Sequence, residues 1–257
     1  MSELSVLICT KNEEKTLPRA IESIKDIASE IVVIDSGSTD ATVEVAKALG
    51  AKVFYHPWDG YANQLNRGIE ICSKEWILIL DADEEVSQEL KNSIREVLSS
   101  NRGEVFMVCR QTYYLGGFLR HAWYPEWRVR LFKKGAVRFE GELHETAIFK
   151  GKAFKLRGNL YHYSFRDLSH QYEKTIKYAK IMAEEYYKKG KKFRMYNLIF
   201  NPLWSFLKVF LLQRGFLDGF RGFAVAVSVF IYTFLKYLFL LELEMKDQKG
   251  EKLWNRR

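Results

Sequence analysis

An α/β fold on a mostly parallel sheet with helices on both faces, followed by an apolar helical region, is what this sequence predicts. Short apolar runs alternate with helical stretches through the first half of the chain, the order that builds parallel sheets. Three of these runs end in polar segments, at residues 10–13 (TKNE), 35–40 (DSGSTD) and 81–85 (DADEE). Ligands bind beyond the carboxyl ends of parallel strands, so these three segments are expected together on one edge of the sheet.

Each element has its own signal. Residues 4–9 are the first strand. Residues 17–28 form a helix with Thr16 as its N-cap and Pro18 in its first turn, where a missing N–H costs nothing. Residues 31–35 (IVVID) are a strand buried on both faces. A helix over 40–49 is entered through Ser38 or Thr39 and stopped by Gly50. Strands at 52–55, 76–80 and 105–110 alternate with helices at 61–72 and 87–98. Residues 112–164 carry Gly116-Gly117, many aromatics and the basic run 127–133, and read as β-structure and loops covering a site. An amphipathic helix with a basic end follows at 167–189, then apolar segments at 198–212 and 223–241 joined by a GFLDGFRG turn. The expected organisation is an α/β domain over 1–165, a helical region over 166–245 and a charged tail, frayed or exposed, over 246–257.

With 257 residues and 47% hydrophobic content the chain can bury a core, which excludes a disordered protein. The net charge of +8 admits nucleic acid, anionic lipid or a phosphorylated small molecule as partner. The cations are not interleaved with aromatics as in an RNA-binding motif, so no nucleic-acid partner is expected. Cys9, Cys72 and Cys109 are odd in number and lack C-x-x-C spacing, which excludes a disulfide framework and points to a reducing compartment. The run 4–9 is too short for a signal-peptide core, and the expectation is a protein kept on the cytosolic side.

The sharpest chemical signal is WILILDADEEV, where Asp81 and Asp83 stand at a strand end with one small residue between them. Such a pair can aim at one ion, and oxygen ligands suit Mg2+ or Mn2+, which bind through one or two carboxylates plus substrate phosphates. A solvated acidic turn is the alternative for a motif this short. Asp35 either closes an Asx-turn or accepts hydrogen bonds from a base or ribose. Thr10, Lys11 and Glu13 carry the same ambiguity, Glu13 being also a plain first-turn acid.

Taken in order, LSVLICTKNEE, EIVVIDSGSTDAT and WILILDADE resemble the family-2 glycosyltransferases of GT-A fold. YANQLNRGIE, WYPEWRVRLFKKG, FEGELHE, LYHYSFRDL and GFLDGFRGF further resemble the bacterial lipopolysaccharide core-biosynthesis glycosyltransferases, including the core β-glucosyltransferase subgroup. The resemblance implies an inverting transfer from a nucleotide sugar, usually a UDP-sugar. It implies a nucleoside pocket lined by Thr10, Lys11 and Glu13, with Asp35 accepting from the base N–H. Asp81 would face ribose and metal, and Asp83 would be the main protein ligand of the metal. Gln64 and Asn66 would face the same edge and touch the donor, helix packing being their other role. Inversion needs a base for the acceptor hydroxyl. FEGELHE offers Glu140, Glu142 and Glu145, of which Glu145 is the first choice and Glu142 the second. His162, and after it His144, would supply a further metal ligand. Arg128 and Arg130 would contact the donor diphosphate or form an exposed charged strand.

The segment 223–241 is about the length of a spanning helix, for which ~20 apolar residues are needed. Ser228, Tyr232 and Lys236 recur at four-residue spacing with Thr233 and Tyr237 beside them, a polar stripe that favours an interfacial helix. The basic run Lys188, Lys189, Lys191, Lys192 and Arg194 precedes the hairpin. The expectation is peripheral or monotopic attachment to an anionic membrane surface, at the cytoplasmic face of the inner membrane, and a glycolipid or lipid-linked glycan acceptor. A polyprenyl-phosphate glycosyltransferase and a non-catalytic nucleotide-sugar-binding scaffold are the rival readings.

Overall fold

The computed structural model describes residues 4–100, 102–141 and 145–249, the side chains of 248 and 249 aside. The chain divides into two compact units, Met1–Thr112 with Pro125–Tyr163, and Tyr113–Tyr124 with Ser164–Arg257. Residues 113–124 therefore group with the second unit, where the sequence placed the boundary at 165.

In the first unit β1 (Leu4–Thr10), β2 (Glu30–Asp35), β3 (Lys52–Tyr55) and β4 (Trp76–Ile79) alternate with α1 (Leu17–Glu22), α2 (Thr42–Ala48) and α3 (Tyr61–Ile71). Then come β5 (Glu84–Val86), α4 (Gln88–Ser100) and β6 (Val105–Tyr114), whose last two residues lie in the second unit. After β7 (Gly117–Phe118), also in the second unit, the chain returns as β8 (Glu126–Lys133), the hairpin β9 (Val137–Glu140) and β10 (Thr146–Phe149), and β11 (Phe154–His162). The sheet order is β3-β2-β1-β4-β8-β6-β11-β5. It is parallel from β3 to β4 and mixed beyond, because β8 runs antiparallel to both β4 and β6.

Alternation along the buried strands builds a core on each face. Val6, Ile8, Val33 and Leu78 meet Leu17 and Ile21 of α1 and Leu90 and Ile94 of α4. Leu7, Val32, Ile34 and Ile77 meet Leu65 and Ile69 of α3 and Val137 and Phe139 of β9. At Gly68 an added Cβ would lie 2.3 Å from the Leu7 side chain, so a glycine is what lets α3 sit on β1.

Two helices are shorter than the sequence suggests. α1 stops at Glu22, and the chain continues in tight turns through Ala28 that keep Ile24 and Ile27 buried. α2 begins at Thr42 with Ala41 at its N-cap, not at Ser38 or Thr39, because those residues are used elsewhere. Asn12 N–H donates to Ser38 Oγ (2.9 Å), and Thr39 N–H donates to Asn12 Oδ1 (2.8 Å).

In the second unit α5 (Leu168–Lys188) is capped by Asp167, which accepts from His170 N–H. α6 (Met195–Leu207) runs into a π-helical turn at Lys208–Leu212, and a 3-10 turn at Gly215–Asp218 leads to α7 (Phe220–Lys249). Helix α7 continues to Lys249, three residues past the expected start of the charged tail at 246, and Phe193 N–H donates to Glu244 Oε1 on it. The polar stripe is not turned outward. Ser228 Oγ accepts from Gln171 of α5, Lys236 lies over the rings of Tyr186 and Tyr237, and the Tyr237 hydroxyl accepts from Asn201 of α6. The stripe is thus the seam of a helical bundle, where polar groups satisfy one another.

Glu30, at the start of β2, tests the first core. Its side chain is 4% exposed and accepts from Ser5 Oγ, Ser73 N–H and Lys52 Nζ. Burial alone would raise its pKa, but these donors hold it down at about 2. A folded-state pKa below the unfolded value means stability present above pH ~4.5 and lost as pH falls toward 2. Glu30→Gln should lower stability by about 1–3 kcal/mol at pH 7, and the gap in melting temperature from wild type should close as pH falls from about 4.5 toward about 2.

Candidate active site

The parallel register puts the carboxyl ends of β1, β2 and β4 on one edge. Thr10 lies opposite Asp35, and Leu80 N–H donates to Leu7 C=O. The loops after β1 and β2 are tied together: Glu13 N–H donates to Thr42 Oγ1 (2.8 Å), Ser36 N–H to Thr10 C=O, and Ala41 N–H to the Glu14 carboxylate. Lys11 is exposed, and Glu13 accepts from Thr16 Oγ1.

Asp35 is buried and closes an Asx-turn. Its Oδ2 accepts from the N–H groups of Gly37 and Ser38 (2.9 and 3.0 Å), and its Oδ1 accepts from Ser38 Oγ. Gly37 has φ +88°, a conformation that favours glycine, and this brings two N–H groups onto one carboxylate oxygen.

The acidic motif is a four-residue turn. Glu84 N–H donates to Asp81 C=O, and Asp81 N–H donates to Glu84 Oε2 (3.0 Å). Its position depends on the far end of the domain: β11 pairs antiparallel with β5, His162 stands opposite Glu84, and Tyr163 N–H donates to Asp83 C=O. The imidazole Nε2 of His162 is thereby 3.4 Å from Asp83 Oδ2.

Beneath the turn lies a charge cluster. Arg130 donates to Asp81 Oδ2 at 2.5 Å and approaches Glu84 Oε1 at 3.6 Å. Arg110 stands 3.7 Å from both Asp81 and Glu84 and makes a two-pronged bond to Glu126 (2.8 Å each). Burial pushes the Glu84 carboxyl up, and the Asp81 charge adds to this. Burial works against the Arg130 cation, but Asp81 and Glu84 outweigh it and raise its pKa. For Glu126, the Arg110 guanidinium overrides burial and holds the carboxyl at about 2. Burial and the Asp81 charge push the Cys9 thiol up to about 12, so it is an inert thiol rather than a nucleophile. Glu84, Arg110 and Glu126 carry no role that the sequence alone reveals. For Arg110 the available signal was a charge set against an apolar run, VFMVCR.

Glu145 lines a cavity of about 250 Å³ with Trp127, Arg128, Arg130 and Thr146, and its charge acts on Arg130. Glu142 and His144 lie outside the described residues. Gln64 is buried and donates to Pro57 C=O (2.8 Å), and Asn66 holds both N–H and C=O of Phe139. Both are occupied in packing α3 against its neighbours.

The geometry brings Thr10, Asp35, Asp81, Asp83 and His162 to one edge. Two ligands of one Mg2+ or Mn2+ ion, each ~2.1 Å away, are about 3 Å apart at right angles and about 4 Å apart when opposite. The Asp83–His162 separation falls in that range. Among the described residues no group of three or more His, Cys, Asp or Glu side chains converges, so an ion here would be completed by waters or substrate oxygens. The donor set therefore fits such an ion.

An α/β sheet with paired acids at the carboxyl edge of its parallel strands, and helices on both faces, is the GT-A architecture of nucleotide-sugar transferases. The sequence model of glycosyl transferase family 2 matches residues 5–158, and the chain belongs to that family and is a glycosyltransferase. It is 35% identical to an uncharacterised glycosyltransferase of Rickettsia typhi, covering 96% of this chain and 90% of that protein. It is 32% identical to the lipopolysaccharide core biosynthesis glycosyltransferase LpsC of Rhizobium meliloti, covering 90% and 89%. The mannosyltransferase of Pyrobaculum calidifontis, solved with GDP-Man and Mn2+, shares the fold with a TM-score of 0.54 at 14% identity, covering 97% of this chain and 88% of that one.

Arg130→Met would leave the buried Glu84 carboxylate without its nearest counter-ion and should cost about 3–5 kcal/mol in urea unfolding. Arg128→Met, at a side chain 44% exposed, should cost less than about 1 kcal/mol.

Proposed function

We propose that this chain transfers a sugar, with inversion, from a UDP-sugar to a lipopolysaccharide-core or other lipid-linked glycan at the cytoplasmic face of the inner membrane, with Mg2+ or Mn2+. The observation that carries this is the meeting of Asp83 and His162, 79 residues apart, at the strand edge that also bears Asp81 and Asp35. Asp83 and His162 hold the cation, which when bound offsets charge on the leaving diphosphate. Asp81, with Oδ2 held by Arg130, is oriented toward ribose and cation. Thr10, Lys11, Glu13 and the turn closed by Asp35 form the nucleoside side. Gln64 supports that edge from α3.

Glu145 is the base. It takes the proton of an acceptor hydroxyl while that oxygen bonds to the anomeric carbon and the bond to the diphosphate breaks, releasing UDP. Its place beside Trp127 in an open cavity supports this, since an aromatic face and a carboxylate suit a sugar hydroxyl. Glu142 is the second candidate. The lipid-linked acceptor and membrane location rest on the lipopolysaccharide-related relative and on two helices, at Met195–Leu212 and Phe220–Asp247, long and apolar enough to cross a bilayer.

A thermal-shift screen of UDP-, GDP- and CMP-sugars with and without Mn2+ tests the donor. Stabilisation by UDP-sugars that depends on Mn2+ is expected, and Asp83→Ala should remove the Mn2+-dependent part. Glu145→Gln should lower turnover by about 10²–10⁴-fold while leaving UDP binding intact. If no nucleotide stabilises the protein, or Asp83→Ala transfers sugar at the wild-type rate, the proposal is wrong.

A further inference from the structure

The second unit has two unlike sides. On α6 the side chains turned away from α7 are apolar: Tyr196, Ile199, Phe200, Leu203, Trp204 and Leu207 are each 43–64% exposed. The stripe continues through the bend as Leu211, Leu212, Phe216, Leu217, Phe220 and Phe223, each 48–66% exposed. Soluble surfaces rarely expose so many large apolar side chains in one stretch. Helix α5, packed on α7 through Gln171–Ser228 and Tyr186–Lys236, exposes the charged Glu173, Lys177 and Lys180 alongside Leu168, Ile176 and Tyr178.

The charge along the sequence of the apolar face is mostly positive, although Glu185 pairs with Lys189 and Glu244 accepts from Phe193 N–H at its start. Between residues 188 and 223 there are eight cations and a single acid, Asp218. The cations Lys188, Lys189, Lys191, Lys192 and Arg194 lead into α6, Lys208 and Arg214 follow it, and all seven are exposed. Asp218 is 6% exposed and is consumed internally. Its carboxylate accepts from the backbone N–H groups of Arg120, His121 and Ala122, and contacts His121 Nδ1 at 3.2 Å. An apolar face rimmed mostly by cations, with Asp218 neutralised from within, is complementary to an anionic phospholipid surface.

We propose that α6 and the bend at residues 211–223 form a docking surface for an anionic bilayer, lying in its plane at the headgroup–acyl boundary with α5 on the aqueous side. The inference rests on the membrane location proposed above and adds the surface and its orientation. Packing decides against a spanning hairpin. If α7 crossed the bilayer, α5 would carry Glu173, Lys177 and Lys180 into hydrocarbon, and the bend would carry Arg214 across. Each such charge costs roughly 3 kcal/mol. An in-plane arrangement leaves all of them at or above the headgroups, and Trp204 and Tyr196 at the interface that aromatic residues favour.

The test uses the full chain with phosphatidylcholine vesicles, plain or doped with phosphatidylglycerol. Binding is expected to be stronger to the doped vesicles and to weaken with salt. Lys191→Ala and Lys192→Ala should each lower affinity about 5-fold, and only on doped vesicles. Phe200→Glu with Leu203→Glu should abolish binding while leaving the melting temperature and the UDP-dependent thermal shift unchanged. Quenching of Trp204 fluorescence, taken as the difference between wild type and Trp204→Phe, should be strongest with bromines near the headgroup end of the acyl chains. Strongest quenching at mid-bilayer would overturn the orientation. A wild-type protein that ignores vesicles and forms a dimer broken by Leu203→Glu would overturn the lipid occupant. Either result with the UDP-dependent shift intact leaves the glycosyltransferase reading standing.

Discussion

Everything at the candidate site depends on three parallel strands ending in register. β2, β1 and β4 are buried on both faces, so a slip by one residue would exchange the two cores and expose neither polar edge correctly. The polar loops can then sit only at the strand ends, and crossovers through α1, α2 and α3 return the chain to parallel strands. The hydrogen bonds between residues 12–14 and 38–42 draw the first two loops into one surface.

The second half of the first unit completes what those strands begin. β8 delivers Arg130 beneath the acidic turn, β6 delivers Arg110, and β11 delivers His162. Asp81 belongs to two systems at once, with one oxygen on a buried guanidinium and a side chain 40% exposed at the edge. A buried arginine of this kind orients a carboxylate without consuming it, because the ion pair fixes the rotamer while the second oxygen stays available. Glu84 fixes the same turn from below through the Asp81 amide. The motif is therefore held by its own third-neighbour contact and by strands from elsewhere in the chain.

The helical unit solves a different problem. Its polar residues are spent inside: Gln171, Ser228, Asn201 and Tyr237 bond to one another between helices, and Asp218 closes over the loop at 120–122. What is left to face outward on α6 is apolar. The seam also holds an apolar cluster of Val209, Val225 and Ala226 with Phe206 and Phe210, so this unit is apolar both at its seam and on the outer face of α6.

Apolar runs such as IVVID and WILIL, their order, and the polar segments that follow them were enough to specify a sheet with helices on both faces, because double burial and chain crossover leave few alternatives. They also placed Asp35, Asp81 and Asp83 at one edge, since that follows from strand direction alone. The lengths of α1 and α2 were not legible, because Ser23, Ser38, Thr39 and Asp40 are claimed by partners more than twenty residues away, and a local propensity cannot register a distant hydrogen bond. For the same reason the stripe of Ser228, Tyr232 and Lys236 looked like an outer surface until α5 was seen covering it. The pairing of Asp83 with His162 and of Asp81 with Arg130 exists only once β11 and β8 are laid into the sheet: which charges meet is a property of strand order in space, and strand order is set by packing the whole core at once.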